Sequence, residues 1–202
     1  MKTYHPIVDL AELPAVTFGR RATSWWGTVG FMVIEGATLA VCAVVYLYLR
    51  KNYHEWPPAP VPLPDLVMPT IGVIFLVLSN IPNRMLHQKT RQLDRRGVQV
   101  GLLVLAIVAS IAAGIRVFDF RDLNVHWDTN AYASAAWLSV ALHSTLLLLQ
   151  VVETWVFVVL LWFGPVEGKH FSDVEDTCVY WYFMSLVWVP IYFLVFLSPR
   201  LL

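Results

Sequence analysis

The chain predicts an all-α fold, a polytopic transmembrane bundle of five helices with the N-terminus cytoplasmic and the C-terminus outside. Three observations predict it. The residues are 58% hydrophobic and 14% charged, with mean hydropathy +0.62, whereas soluble domains are nearer half apolar and a quarter charged. Several apolar runs approach or exceed the length that crosses a ~30 Å hydrocarbon core. Lys and Arg concentrate in alternate connections, the pattern that orients spans. Residues 1–24 are then a cytoplasmic N-terminal segment and 25–202 the five-helix membrane domain, with no room for a separate soluble unit.

The first span is predicted over residues 25–49, too long for the apolar core of a signal peptide. The second covers 66–81, bounded by Pro64 and Pro82 and containing Pro69. The third covers 98–118. The fourth, 132–163, is long enough to tilt or to begin at the interface. The fifth covers 176–197.

Orientation follows from the connections. Residues 83–96 carry Arg84, Lys89, Arg91, Arg95 and Arg96 and are placed in the cytoplasm. Residues 118–130, FDFRDLNVHWDTN, are acidic and are placed outside. Lys2, Arg20 and Arg21 then put the N-terminus inside. Arg50 and Lys51 are the exception, assigned to snorkelling at the outer interface. The proline-rich loop at 52–66 is expected to be stiff and extended, either as a rigid contact with a neighbouring subunit or as a short connector. Small residues at Gly36 and Ala40, and at Ala106, Ser110 and Gly114, mark faces where helix backbones can approach closely.

Glu35 is the most informative residue. It lies about 14 Å down the first helix from Trp26, at ~1.5 Å per residue, near the bilayer midplane. A charge at that depth is costly, so such residues face protein, water or a bound partner. His143, Gln150 and Glu153 form a polar strip on the fourth helix. Such a strip can line a proton route, hold a lipid headgroup or seal a subunit interface. The alternative is interhelical hydrogen bonding, worth ~0.6–2 kcal/mol per bond. Asp173, Glu175 and Asp176 precede the last span, either capping its N-terminus or collecting protons and contacting a subunit.

Several chemistries are excluded. Zero formal net charge, with 14 basic and 14 acidic residues, gives no basic surface for nucleic acid. Cys42 and Cys178 fall in separate apolar stretches without metal-ligand spacing. A haem with two axial histidines needs a second one at the depth of His143, and the other five histidines lie in loops or tails. No phosphate loop and no nucleophile with its base is present. The chain is therefore expected to carry no catalytic residue, metal or cofactor.

The residues and their order resemble subunit III of haem-copper oxidases, in its short five-helix form and as a divergent member. The resemblance rests on Ile34-Glu35-Gly36, where Glu35 takes the place of the family's carbodiimide-reactive glutamate, and on Trp56-Pro57-Pro58. It continues with Phe118-Asp119-Phe120-Arg121, Tyr132-Ala133-Ser134 and His143, then Glu175, Trp181 and Trp188 along the last helix. The chain departs from the family at Leu146, Tyr182 and Ser185, which replace two histidines and an aspartate, and Pro190 interrupts the last helix.

The resemblance implies a non-catalytic subunit III of a respiratory terminal oxidase of the cytochrome c oxidase type, in aerobic electron transport coupled to proton translocation. Haem and copper are then expected in the catalytic subunit I, with subunit II alongside. Bound phospholipid is expected, with Glu35 and His143 as candidate lipid contacts. The role implied is to support the catalytic subunit and sustain proton uptake. The lack of a transit-like segment favours a bacterial plasma membrane over an organelle inner membrane. The alternatives are subunit III of a quinol oxidase, an accessory protein of nitric oxide reductase, and an independent transporter using the polar strip.

Overall fold

A computed structural model describes residues 16–201. Lys2, His5 and the first fifteen residues of the predicted N-terminal segment lie outside the described residues. The regular structure of the described residues is helical: α1 Thr23–Lys51, α2 Val67–Leu78, α3 Asn80–Arg91, α4 Arg95–Asp122, α5 Ala131–Phe163, α6 Lys169–Tyr192 and α7 Ser198–Leu201. A π-helical stretch, Phe193–Leu197, joins α6 to α7. Five spans result, because α2 and α3 together form Val67–Arg91 and α6 through α7 form Lys169–Leu201. α6 is the most buried span and α1 the least. The core lies where α4, α5 and α6 meet, with Leu102, Leu105, Leu147, Trp181 and Trp188 fully buried.

Two predicted boundaries are wrong, both for the same physical reason. Pro82 does not end the second span. The helix bends at Ser79 and restarts at Asn80, which puts Pro82 in the first turn of α3, where an amide has no partner within the helix to lose. Ser79 Oγ and Asn80 Nδ2 donate to the carbonyls of Leu76 and Val77, at 2.5 and 3.0 Å. The predicted cytoplasmic loop 83–96 is consequently mostly helix. It shrinks to residues 92–94, with Leu93 in the left-handed region at φ 54° to turn the chain. The last span likewise begins at Lys169 rather than Asp176. Polar residues stop a hydropathy pattern, but a helix continues through the interface wherever its polar face finds partners.

Pro190 also sits inside α6 rather than ending it. Its ring removes the hydrogen bond to the carbonyl of Leu186. The helix continues to Tyr192 and widens into the π-helical stretch. Downstream, the Tyr192 and Thr70 hydroxyls lie 2.6 Å apart, joining the last span to α2.

Close helix approach is real, but only partly where the small residues predict it. A Cβ added at Gly36 would meet the Phe183 ring at 3.5 Å, while Gly114 has open space around it. The tight contacts are at Gly72, where an added Cβ would meet Ile115 at 3.1 Å, and at Gly101, where it would meet Leu86 at 3.1 Å. The proline-rich loop is held against its own chain. The Asp65 amide donates to the Asp122 carbonyl at 2.7 Å, and Asn124 Nδ2 to Asp65 Oδ2 at 3.0 Å. Arg50 and Lys51 occupy the last turn of α1, where the helix dipole favours cations.

Candidate functional site: a polar cleft within the bundle

The Glu35 carboxylate is met by a donor from α6, the Tyr180 hydroxyl, which hydrogen-bonds to Oε2. This pair forms one wall of a cleft of about 360 Å³ between α1, α5 and α6. Gln150, Glu153 and Asp176 line the same cleft, with Ser24 near one end and Phe31 and Leu149 supplying apolar wall. Thr177 Oγ1 donates to Glu153 Oε1 over a long 3.4 Å. The Gln150 amide and both Asp176 oxygens are buried without a protein partner. The cleft is thus apolar along its length and studded with acceptors, and a single donor chain holds Glu35 in place.

The predicted strip therefore divides. Glu35, Gln150 and Glu153 share the cleft, whereas His143 does not line it. His143 is fully buried between α5 and α6, where Nε2 donates to the Met184 carbonyl at 3.1 Å and the ring packs on Trp188, 4.7 Å between centroids. The Arg116 guanidinium lies 3.4 Å from the centre of the Trp188 ring and pairs with Asp119. Arg116 was passed over in the sequence although it lies within the third predicted span. Its spacing of three from Asp119 is the signal that identifies it, since an ion pair on one helix face lowers the cost of burying both charges.

Glu175 occupies a second polar centre. The predicted capping role of Asp173, Glu175 and Asp176 fails, because α6 starts at Lys169 and has no acidic residue in its first turn. Glu175 is instead almost fully buried and accepts four bonds from three residues in two parts of the chain. Arg91 donates from Nε and Nη2 at 2.8 and 2.6 Å, His87 from Nε2 at 3.2 Å, and the Gly19 amide at 2.9 Å. Gly19 adopts φ 60°, a left-handed turn that suits glycine. One helical turn or more further on, Trp181 Nε1 donates to Ser79 Oγ at 2.9 Å and Asn83 Nδ2 to the Cys178 carbonyl at 3.0 Å. These bonds dock the α2–α3 bend on α6.

The remaining motif positions also pack. Trp56 from the outer loop meets Tyr132 at the start of α5 edge-on, 5.1 Å between centroids, and Tyr46 of α1 at 5.3 Å. Asn130 caps α5 by accepting from the Ala133 amide at 2.8 Å.

A haem or copper does not fit these residues. His143 already donates to a carbonyl, and the other described histidines lie in connections or at helix ends: His54 and His126, His87 near the end of α3, His170 at the start of α6. Among the described residues no group of three or more His, Cys, Asp or Glu side chains could hold a metal ion. Cys42 and Cys178 are both free.

No protein-family model matches the chain. Three curated relatives do, and each bears the same name, cytochrome c oxidase subunit 3. The chain is 27% identical to that of Synechocystis sp. over 180 residues, 85% of this chain and 74% of the relative. It is 21% identical to that of Thermostichus vulcanus over 178 residues, 86% of this chain and 87% of the relative. It is 21% identical to that of Rhizopus stolonifer over 143 residues, 70% of this chain and 50% of the relative.

Proposed function

From its place in the cytochrome c oxidase subunit III family, we infer that this chain is a multi-pass, non-catalytic membrane subunit of a haem-copper oxidase complex. The observation that carries this reading is the similarity to subunit 3 proteins along most of the chain. The bundle supports it. Five helices are long and apolar enough to span a membrane, and the midmembrane acid is held in a lined cleft.

The finer reading is that the subunit packs against the catalytic subunit I, with subunit II in the same complex, and that haem and copper reside in those partners. The cleft between α1, α5 and α6 holds a phospholipid, whose chains run past Glu35 along Phe31 and Leu149 and whose headgroup lies at the Ser24 end. The membrane is a bacterial plasma membrane, with residues 1–24 on the cytoplasmic side, 25–202 as the membrane domain and the C-terminus outside. Held in this way, the subunit sustains proton uptake by its partner. The acceptor-lined cleft and the basic end of α3 support these assignments.

Purification of the tagged chain in gentle detergent tests the reading. The expected result is a coloured complex containing haem, copper and a many-helix catalytic subunit that consumes oxygen. A nitric oxide reductase partner, or a folded, colourless and partnerless chain, would overturn it.

A further inference from the structure

A second groove lies away from the acidic cleft, on the outer face of α3 where it packs on α6. Its two lobes, about 380 and 580 Å³, share Arg84, Gln88 and Tyr182. One lobe continues along His87 and Arg91, the other along Ile81 and Met85. Arg84, Gln88 and Arg91 recur at helical spacings of four and three, so they form one stripe. Ile81 and Met85 are both more than half exposed and point out of the bundle.

The charges in this groove do not cancel. Glu175, beneath it, accepts from Arg91 and His87. Arg84 makes no ion pair among the described residues, and no acidic side chain lines either lobe. Arg84 is seven residues from the end of α3, roughly 10 Å along the axis, within reach of the interface for a side chain that snorkels. The groove therefore offers an uncompensated guanidinium, an amide and a phenol at one end and exposed hydrocarbon at the other. An amphiphile with an anionic head satisfies both ends, and basic recesses between membrane helices suit such headgroups.

We propose that the α3–α6 groove is a binding site for an anionic phospholipid, with Arg84 and Gln88 contacting the phosphodiester, Tyr182 flanking it and an acyl chain lying over Ile81 and Met85. This site is separate from the acidic cleft. It depends on the membrane-spanning bundle and not on which catalytic subunit the chain serves.

The test uses the assembled complex, delipidated in detergent and titrated with phosphatidylglycerol under native mass spectrometry. Arg84→Gln is expected to weaken retention of one phosphatidylglycerol by roughly fivefold or more, the scale of one basic residue at an anionic surface. Gln88→Glu, which sets a carboxylate against the phosphate, should give the same loss if Arg84→Gln does not assemble. Arg96→Gln removes an equal charge outside the groove and should leave retention unchanged. Equal retention in the wild type and both groove variants would overturn the proposal. So would equal retention of phosphatidylethanolamine, displacement of the lipid by inorganic phosphate alone, or a partner-protein carboxylate cross-linked at Arg84. A chain that copurifies with no oxidase but still shows the Arg84-dependent lipid would leave this site standing while the oxidase reading falls.

Discussion

Glu35 shows how a single acid is tolerated midway along an apolar helix. Its carboxylate costs several kcal/mol at the bilayer midplane unless it is partnered, and Tyr180 supplies the partner from a helix 145 residues away in sequence. Interhelical bonds of this kind contribute only ~0.6–2 kcal/mol, so the pair is a weak prop for the fold. Glu35→Ala is therefore expected to lower thermal stability of the assembled complex by no more than that amount. It should leave the haem spectrum intact, with shortened turnover lifetime or loss of bound lipid. Tyr180→Phe should reproduce the effect, because it removes the same bond from the other side. Loss of the haem spectrum in a stably assembled Glu35→Ala complex would refute this. The depth of Glu35 was legible in the sequence from the apolar run around it. Its partner was not, because a tyrosine on a distant helix carries no local signal.

The elements divide in the same way between what composition reveals and what packing decides. Runs such as that of α5 declare themselves by length, and its predicted and observed limits nearly coincide. The ends of α3 and α6 did not, because both are polar where they leave the apolar run. Their polar residues serve helix contacts: Asn83 bonds the Cys178 carbonyl, and Thr90 returns its hydroxyl to the Leu86 carbonyl at 2.9 Å. Gly101 of α4 packs closely on α3, where an added Cβ would meet Leu86 at 3.1 Å. Gly101→Leu should separate them and destabilise the bundle by roughly 1–3 kcal/mol, as overpacking does elsewhere, read as a lower melting temperature. Gly114→Leu, in open space, should not.

The start of α4 has its own pH dependence. The Gly97 amide, which donates to Asp94 Oδ1 at 3.0 Å, and then Lys89, at 3.1 Å, hold the Asp94 carboxyl below the usual carboxylate range. A lowered folded-state value means the cap contributes above the unfolded value and is lost as pH falls through the folded one. Hydrogen-exchange protection of the Gly97 amide should thus persist through neutral and mildly acidic pH. It should decline only below about pH 3.9, the unperturbed aspartate value. Asp94→Ala should lack that protection at every pH.

Across the whole molecule, the count of spans was readable from hydropathy because each span must be apolar enough to enter lipid. Orientation rests on charge, and the correction to the second span sharpens it. Arg84, Lys89 and Arg91 belong to the end of a helix, and Arg95 and Arg96 begin the next. All five stay on one side of the bilayer in the proposed topology. Cysteines introduced at Arg96 and at Asp128 should therefore react with a membrane-impermeant thiol reagent from opposite sides, Asp128 from outside intact cells and Arg96 only after permeabilisation. Labelling of both from the same side would refute the topology. The acidic cleft was only half legible. The strip on α5 was visible in the spacing of Gln150 and Glu153, but whether His143 joined it depended on rotations that only packing with α6 sets.

Glu175 carries a consequence for biogenesis. It is supplied by the fifth span, yet it gathers Gly19 from just ahead of α1 and His87 and Arg91 from α3. Until that span is inserted, an amide, an imidazole and a guanidinium wait without their acceptor. Closure of the bundle thus waits for the fifth span and joins residues 156 apart in the chain. A polypeptide truncated after its fourth span would carry an open seam that membrane quality control can recognise. The latch makes insertion of the fifth span a condition for a closed bundle.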